Sequence, residues 1–76
     1  MQRAGEVVRA TGGIAVVRAE GGTPPAIGTE TVDKRLEGTG RIVDVFGPVE
    51  RPYLAVSPPE GRSPASLIGQ RLYVRQ

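Results

Sequence analysis

Gly40-Arg41-Ile42-Val43-Asp44-Val45-Phe46-Gly47 is the longest strand signal in the chain, and Pro48 ends it. β-Branched and aromatic residues favour the pleated backbone, and proline has no N–H to give to a ladder. The stretch is answered by Tyr53-Leu54-Ala55-Val56-Ser57 across the connector Pro48-Val49-Glu50-Arg51-Pro52, so the two read as an antiparallel hairpin. Toward the N-terminus, Gly5-Glu6-Val7-Val8-Arg9-Ala10 and Ile14-Ala15-Val16-Val17-Arg18-Ala19 flank Thr11-Gly12-Gly13, which reads as a second hairpin. Glu20-Gly21-Gly22-Thr23-Pro24-Pro25 is a loop, since the proline pair forbids regular structure. A short strand is expected over Thr29-Glu30-Thr31-Val32-Asp33, and a turn over Leu36 to Thr39. After the polar loop Pro58 to Pro64, Ser66-Leu67-Ile68-Gly69 has room for one helical turn, and Leu72-Tyr73-Val74-Arg75 closes the chain as a strand. Eleven glycines and seven prolines recur too often for long helices. The expected fold is all-β: a small six-stranded antiparallel β-barrel, one domain over residues 1–76.

With 76 residues, a domain buries only roughly 60% of the surface its unfolded chain exposes. Hydrophobic residues form 38% of the composition, which leaves few to spare outside the core. The central hairpin is therefore informative. A strand with one wet face alternates apolar and polar. By strict alternation Val43 and Val45 share one face and Ile42, Asp44 and Phe46 the other, so both faces carry large apolar groups. Leu54 and Val56 likewise stand opposite Tyr53 and Ala55. Two readings stay open at this point. Phe46 and Tyr53 fold over a barrel end and cap the core, or one face points outward as a protein-docking surface.

Charge and residue types narrow the function. Ten basic and eight acidic residues give a net charge of +2, too mild to indicate nucleic-acid binding on its own. The basic residues are scattered, with only Lys34 and Arg35 adjacent, as on solvated strand faces. Nine of the ten are arginine, which pairs with carboxylate or phosphate in bidentate fashion. Cysteine and histidine are both absent, which removes disulfides, thiolate metal sites and the usual general base. Ser57, Ser63 and Ser66 have no customary activating partner, and the carboxylates do not cluster in sequence as metal ligands. Gly12-Gly13 and Gly21-Gly22 lack a phosphate-loop context and serve as turns. The chain reads as a non-enzyme without metal or cofactor. No stretch approaches the ~20 apolar residues of a membrane span, and the N-terminus does not read as a signal peptide, so a cytoplasmic protein is expected.

The central motif also carries a resemblance. Gly40-Arg41-Ile42-Val43-Asp44-Val45-Phe46-Gly47-Pro48-Val49 followed by Arg51-Pro52-Tyr53-Leu54-Ala55-Val56 resembles the signature of the glycine-arginine-rich-protein family of H/ACA ribonucleoproteins. The opening Gly5-Glu6-Val7-Val8 and the closing Leu67-Ile68-Gly69-Gln70-Arg71-Leu72-Tyr73-Val74-Arg75 are similar to that family's ends, whereas Gly21 to Glu37 is the least diagnostic part. The resemblance implies a barrel related to a translation-factor barrel domain. It implies a direct partner, the catalytic domain of a dyskerin-like pseudouridine synthase, with guide and substrate RNA reached through the complex rather than touched. It further implies control of a synthase loop that grips substrate RNA during uridine isomerisation, chiefly in ribosomal RNA, aiding substrate placement and product release. Docking residues carried over by position are Ile42, Val45, Phe46, Gly47, Pro48, Val49, Pro52 and Tyr53, with Phe46 and Tyr53 as anchors and Arg41 and Arg51 as candidate rim contacts. The Arg-Gly-rich tails of eukaryotic members are missing from this sequence, which makes an archaeal source the expectation. The competing class is a stand-alone RNA-binding barrel in rRNA maturation, with Phe46 and Tyr53 stacking bases and Arg41 and Arg51 holding phosphates.

Overall fold

The computed structural model describes residues 2–21 and 23–75. Strand β1 (Gln2–Thr11) turns through Gly12 and Gly13, both at positive φ, into β2 (Ile14–Ala19). This is the two-residue reversal whose twist matches that of the strands it joins. A long connection leads to β3 (Glu30–Val32), and a tight turn to β4 (Gly38–Phe46). Then come β5 (Tyr53–Ser57), a short 3-10 helix (Pro64–Leu67) and β6 (Arg71–Val74). The helical turn starts earlier than the sequence indicates. The Ser63 side chain accepts from the Ala65 N–H, and Pro64 occupies the first helical position, where its missing donor costs nothing. Of the loop expected over Glu20 to Pro25, Gly22 lies outside the described residues.

The strands close a barrel in the order β1-β2-β5-β4-β3-β6, all neighbours antiparallel. The expected all-β, six-stranded antiparallel barrel is thus the fold. Closure leaves no unpaired sheet edge. It also places β6 three strands from β5 in either direction, so these two lie on opposite walls.

The interior is filled by Ala4, Val7, Ala15, Val17, Ile42, Leu54, Val56, Leu72 and Val74, and Leu67 of the 3-10 helix joins them. Thr31 and Thr39 are also fully buried and bond each other, Oγ1 to Oγ1, at 2.8 Å. That pairing meets the requirement that a buried hydroxyl find a partner. Small barrels need sharp local coiling, supplied here by bulges in β1 and β4 and by glycines where backbones nearly touch. A Cβ added at Gly40 would sit 2.3 Å from the Ser57 carbonyl oxygen, and one at Gly5 would meet the Arg18 carbonyl.

The β4 bulge corrects the alternation expected from sequence. Ile42 faces Val56, but the next paired residue is Asp44, opposite Ala55, so Val43 is the extra residue. From there Val45 opposes Leu54 and Phe46 opposes Tyr53. Directly opposed residues share a face, so Ile42 and Val45 both point inward although they are three residues apart. Val43, Asp44 and Phe46 point outward. The Asp44 carboxylate accepts from the Val45 N–H at 2.8 Å, which ties down the backbone at the bulge.

Candidate functional site

The outward face at the end of the β4–β5 hairpin carries two aromatic rings. Phe46 and Tyr53 are cross-strand partners, and their rings stack with centroids 5.7 Å apart and planes 25° apart. Such an offset arrangement is favourable by ~0.5–1.5 kcal/mol beyond simple burial. Phe46 remains 39% exposed, and neither ring belongs to the core cluster. The two rings thus lie on the outer face rather than over the core.

Local backbone chemistry sets the rings. Gly47 has φ +90°, and a Cβ there would approach the Tyr53 ring at 2.9 Å, so only a bare Cα lets Tyr53 lie against the turn. Pro48 to Arg51 form a β-turn closed by the Arg51 N–H donating to the Pro48 carbonyl at 3.2 Å. Val49 stands at the tip of that turn and is 98% exposed. Pro52 anchors the other side: its carbonyl accepts from the Ala19 N–H at 3.1 Å, which fixes the hairpin against the end of β2.

The residues expected at this surface separate into two sets. Phe46, Gly47, Pro48, Val49, Pro52 and Tyr53 come together on it, with Arg51 exposed in the same turn. Ile42 does not: it is wholly inaccessible, packed in the core. Val45 faces the core as well, partly buried against it. The bulge at Val43 is the reason for both corrections. Arg41 is also displaced. It lies five residues before Phe46, on the order of 16 Å along an extended strand, and its guanidinium pairs with Glu30 of β3 at 3.2 Å. It is not at the rim of the aromatic pair.

Arg18 occupies the rim position instead. It is the β2 partner of Tyr53, exposed, and forms no ion pair or side-chain hydrogen bond among the described residues. Sequence reasoning missed it because β2 and β5 are not consecutive, and their register is set by barrel closure. Chemically the face offers a rigid aromatic pair, a proline-bounded turn with an aliphatic tip, and two arginines at its margin.

A second organised region lies at the β3–β4 turn. The Asp33 carboxylate is buried there, and Oδ1 accepts from the Arg35 N–H at 2.8 Å and the Glu37 N–H at 3.1 Å. Oδ2 lies 3.5 Å from the Arg62 guanidinium, which also donates to the Gly38 carbonyl at 3.0 Å. Burial pushes the Asp33 carboxyl upward, but the two backbone donors and Arg62 outweigh it and hold the group below its ordinary value. Leu36 in this turn adopts φ +68°, and its carbonyl accepts from Arg75 at 3.3 Å.

No protein-family model matches the chain, and no curated protein is similar to it in sequence. Among solved structures it is similar to the Gar1 domain of NAf1, with a TM-score of 0.72 over 97% of this chain and 81% of that one, at 16% identity. The chain thus has the fold of a Gar1 domain.

Proposed function

We propose that the chain is a non-catalytic subunit of an H/ACA RNA-guided pseudouridine synthase complex. It docks on the catalytic domain of a dyskerin-like synthase through Phe46, Tyr53 and the Pro48–Arg51 turn, in the archaeal cytoplasm. The observation that carries this reading is the stacked Phe46–Tyr53 pair, held outward on a barrel with the fold of a Gar1 domain. Folding alone does not account for the pair. A 76-residue chain has few apolar groups to leave outside its core, and exposed apolar clusters mark interaction sites. The motif around Gly40 to Tyr53 supports the same assignment, since Phe46, Gly47, Pro48, Val49, Pro52 and Tyr53 of it come together on the exposed face.

Two anchors of this kind suffice for a stable complex, at ~2 kcal/mol or more each when fully desolvated. Bound beside a mobile substrate-gripping loop of the synthase, the subunit acts on substrate placement and product release rather than on the chemical step. The test is reconstituted pseudouridylation of a ribosomal RNA fragment with and without the chain. Multiple-turnover rates should rise when the chain is added, while single-turnover rates stay unchanged. Equal rates under both regimes would overturn this role.

Stand-alone RNA binding through the same face finds less support. Phe46 and Tyr53 stack on each other, and Arg41 is engaged with Glu30 at a distance from them.

A further inference from the structure

The wall opposite the aromatic hairpin holds a cleft. It has a volume of about 710 Å³ and lies between β6, β1 and the β3–β4 turn. Tyr73 lines it, half-buried on β6, with Arg71 on the same outward face of that strand, its guanidinium 3.6 Å from the Glu20 carboxylate in an exposed pair that a phosphate would have to displace. Lys34 and Arg35 line it from the turn. Both are exposed, and neither side chain forms an ion pair or hydrogen bond among the described residues. Glu6 and Glu37 also border the cleft.

The turn that presents Lys34 and Arg35 is rigidly built. Asp33, Arg62 and Arg75 all brace it, and Leu36 is held in the left-handed region. A non-glycine residue stays in that region only where surrounding bonds constrain it. Here the constraint fixes where two unengaged cations stand relative to an aromatic ring.

We infer that this cleft binds a short single-stranded RNA segment, with one base stacked on Tyr73 and the flanking phosphates on Lys34, Arg35 and Arg71. An aromatic platform flanked by cations suits single strands. The ring discriminates between anionic partners, since a base stacks on Tyr73 as an acidic side chain does not, while Glu6 and Glu37 offer acceptors to exocyclic amines and 2′-hydroxyls. The inference is independent of docking at Phe46 and Tyr53, because the two surfaces lie on opposite walls. It revises the expectation that RNA is reached only through the complex.

The test is fluorescence anisotropy of a labelled mixed-sequence oligoribonucleotide of ~10 nucleotides with the full chain alone, over a range of salt. Three phosphate contacts give a slope of log affinity against log salt of about −2. The variant Lys34→Ala/Arg35→Ala keeps the backbone donors of the turn. It should bind at least tenfold more weakly, with a slope reduced by about 1.4. Tyr73→Leu should weaken binding at least fivefold with the slope unchanged, as loss of one stacked base requires. Phe46→Ala should bind as the wild type does. Circular dichroism establishes that each variant is folded, and the exposed double variant keeps the test decisive should Tyr73→Leu unfold. The inference is overturned by absence of binding, by binding that Phe46→Ala abolishes, or by binding indifferent to the double variant. Equal affinity for polyglutamate would also overturn it, in favour of an acidic protein partner.

Discussion

The two turns that bracket β4 are made in opposite ways. The β3–β4 turn is cross-linked: Asp33 takes two backbone donors and an arginine, and Arg62 and Arg75 hold backbone carbonyls from elsewhere in the chain. The β4–β5 turn is closed by one backbone hydrogen bond and leaves Phe46 and Val49 open to solvent; Leu36 is exposed at the first turn too, but without an aromatic partner beside it. Polar bracing at the first turn stabilises the barrel itself. Apolar exposure at the second does little for the isolated chain and becomes favourable only when something covers it. Within a single strand, then, residues packed into the core can be told from residues left at the surface. The bulge at Val43 is the hinge of that division, with Ile42 on the inner side and Phe46 on the outer.

The division breaks most visibly in the core. Ile42→Ala should cost ~2–5 kcal/mol, a large share of the stability available to a chain of this size. Urea titration would then show a strongly lowered midpoint. An unchanged midpoint would mean that Ile42 is not a core residue and that the inward register of β4 is wrong.

At the braced turn, Asp33→Ala leaves two N–H groups and Arg62 without their acceptor and should cost ~1–3 kcal/mol. The pH dependence sharpens this. The folded-state pKa of Asp33 lies below its ordinary value, so the stability it contributes is fully present above about 3.9. That contribution is lost as pH falls through the lower folded value. The gap between wild type and Asp33→Ala should therefore narrow in acid. A gap constant with pH would show that the carboxylate charge is not what holds the turn.

Inside the barrel, Thr39→Val strands the Thr31 hydroxyl and should cost ~1–2 kcal/mol. The double change Thr31→Val/Thr39→Val should recover most of it, since removing both partners leaves no orphaned group. Additive losses in the double variant would contradict a mutual hydrogen bond. The smallest effect on stability belongs to Phe46→Ala, at ~0.5–1.5 kcal/mol, the scale of one aromatic pair. A larger loss would make the hairpin a structural cap.

Much of this was legible in the sequence. Glycine or proline lies within two residues of most strand boundaries, though not of the ends of β3 and β6, and Gly12-Gly13 specifies its hairpin through backbone conformation alone. The outward aromatic pair follows from there being two apolar faces on one hairpin. What strict alternation could not reveal is the bulge, because one extra residue reverses the facing of everything after it without any change in residue type. Alternation puts Ile42 and Val45 on opposite faces, and the resemblance puts both at the docking surface; the bulge turns both inward. Arg18 at the rim and the gathering of Lys34, Arg35 and Arg71 around Tyr73 arise from pairings between non-consecutive elements, which no local pattern encodes. The Asp33 turn did leave a trace. An aspartate that opens a turn by accepting from the backbone two residues on is a recognised local signal.

The most direct measurement is calorimetric titration of the chain into the purified pseudouridine synthase from the same source, without RNA, alongside Phe46→Ala and Tyr53→Ala. The account predicts tight binding by wild type and a loss of more than about tenfold, ~1.4 kcal/mol, in each variant, with folding retained. Wild-type heat signals no greater than dilution, or binding that both variants preserve, would contradict it.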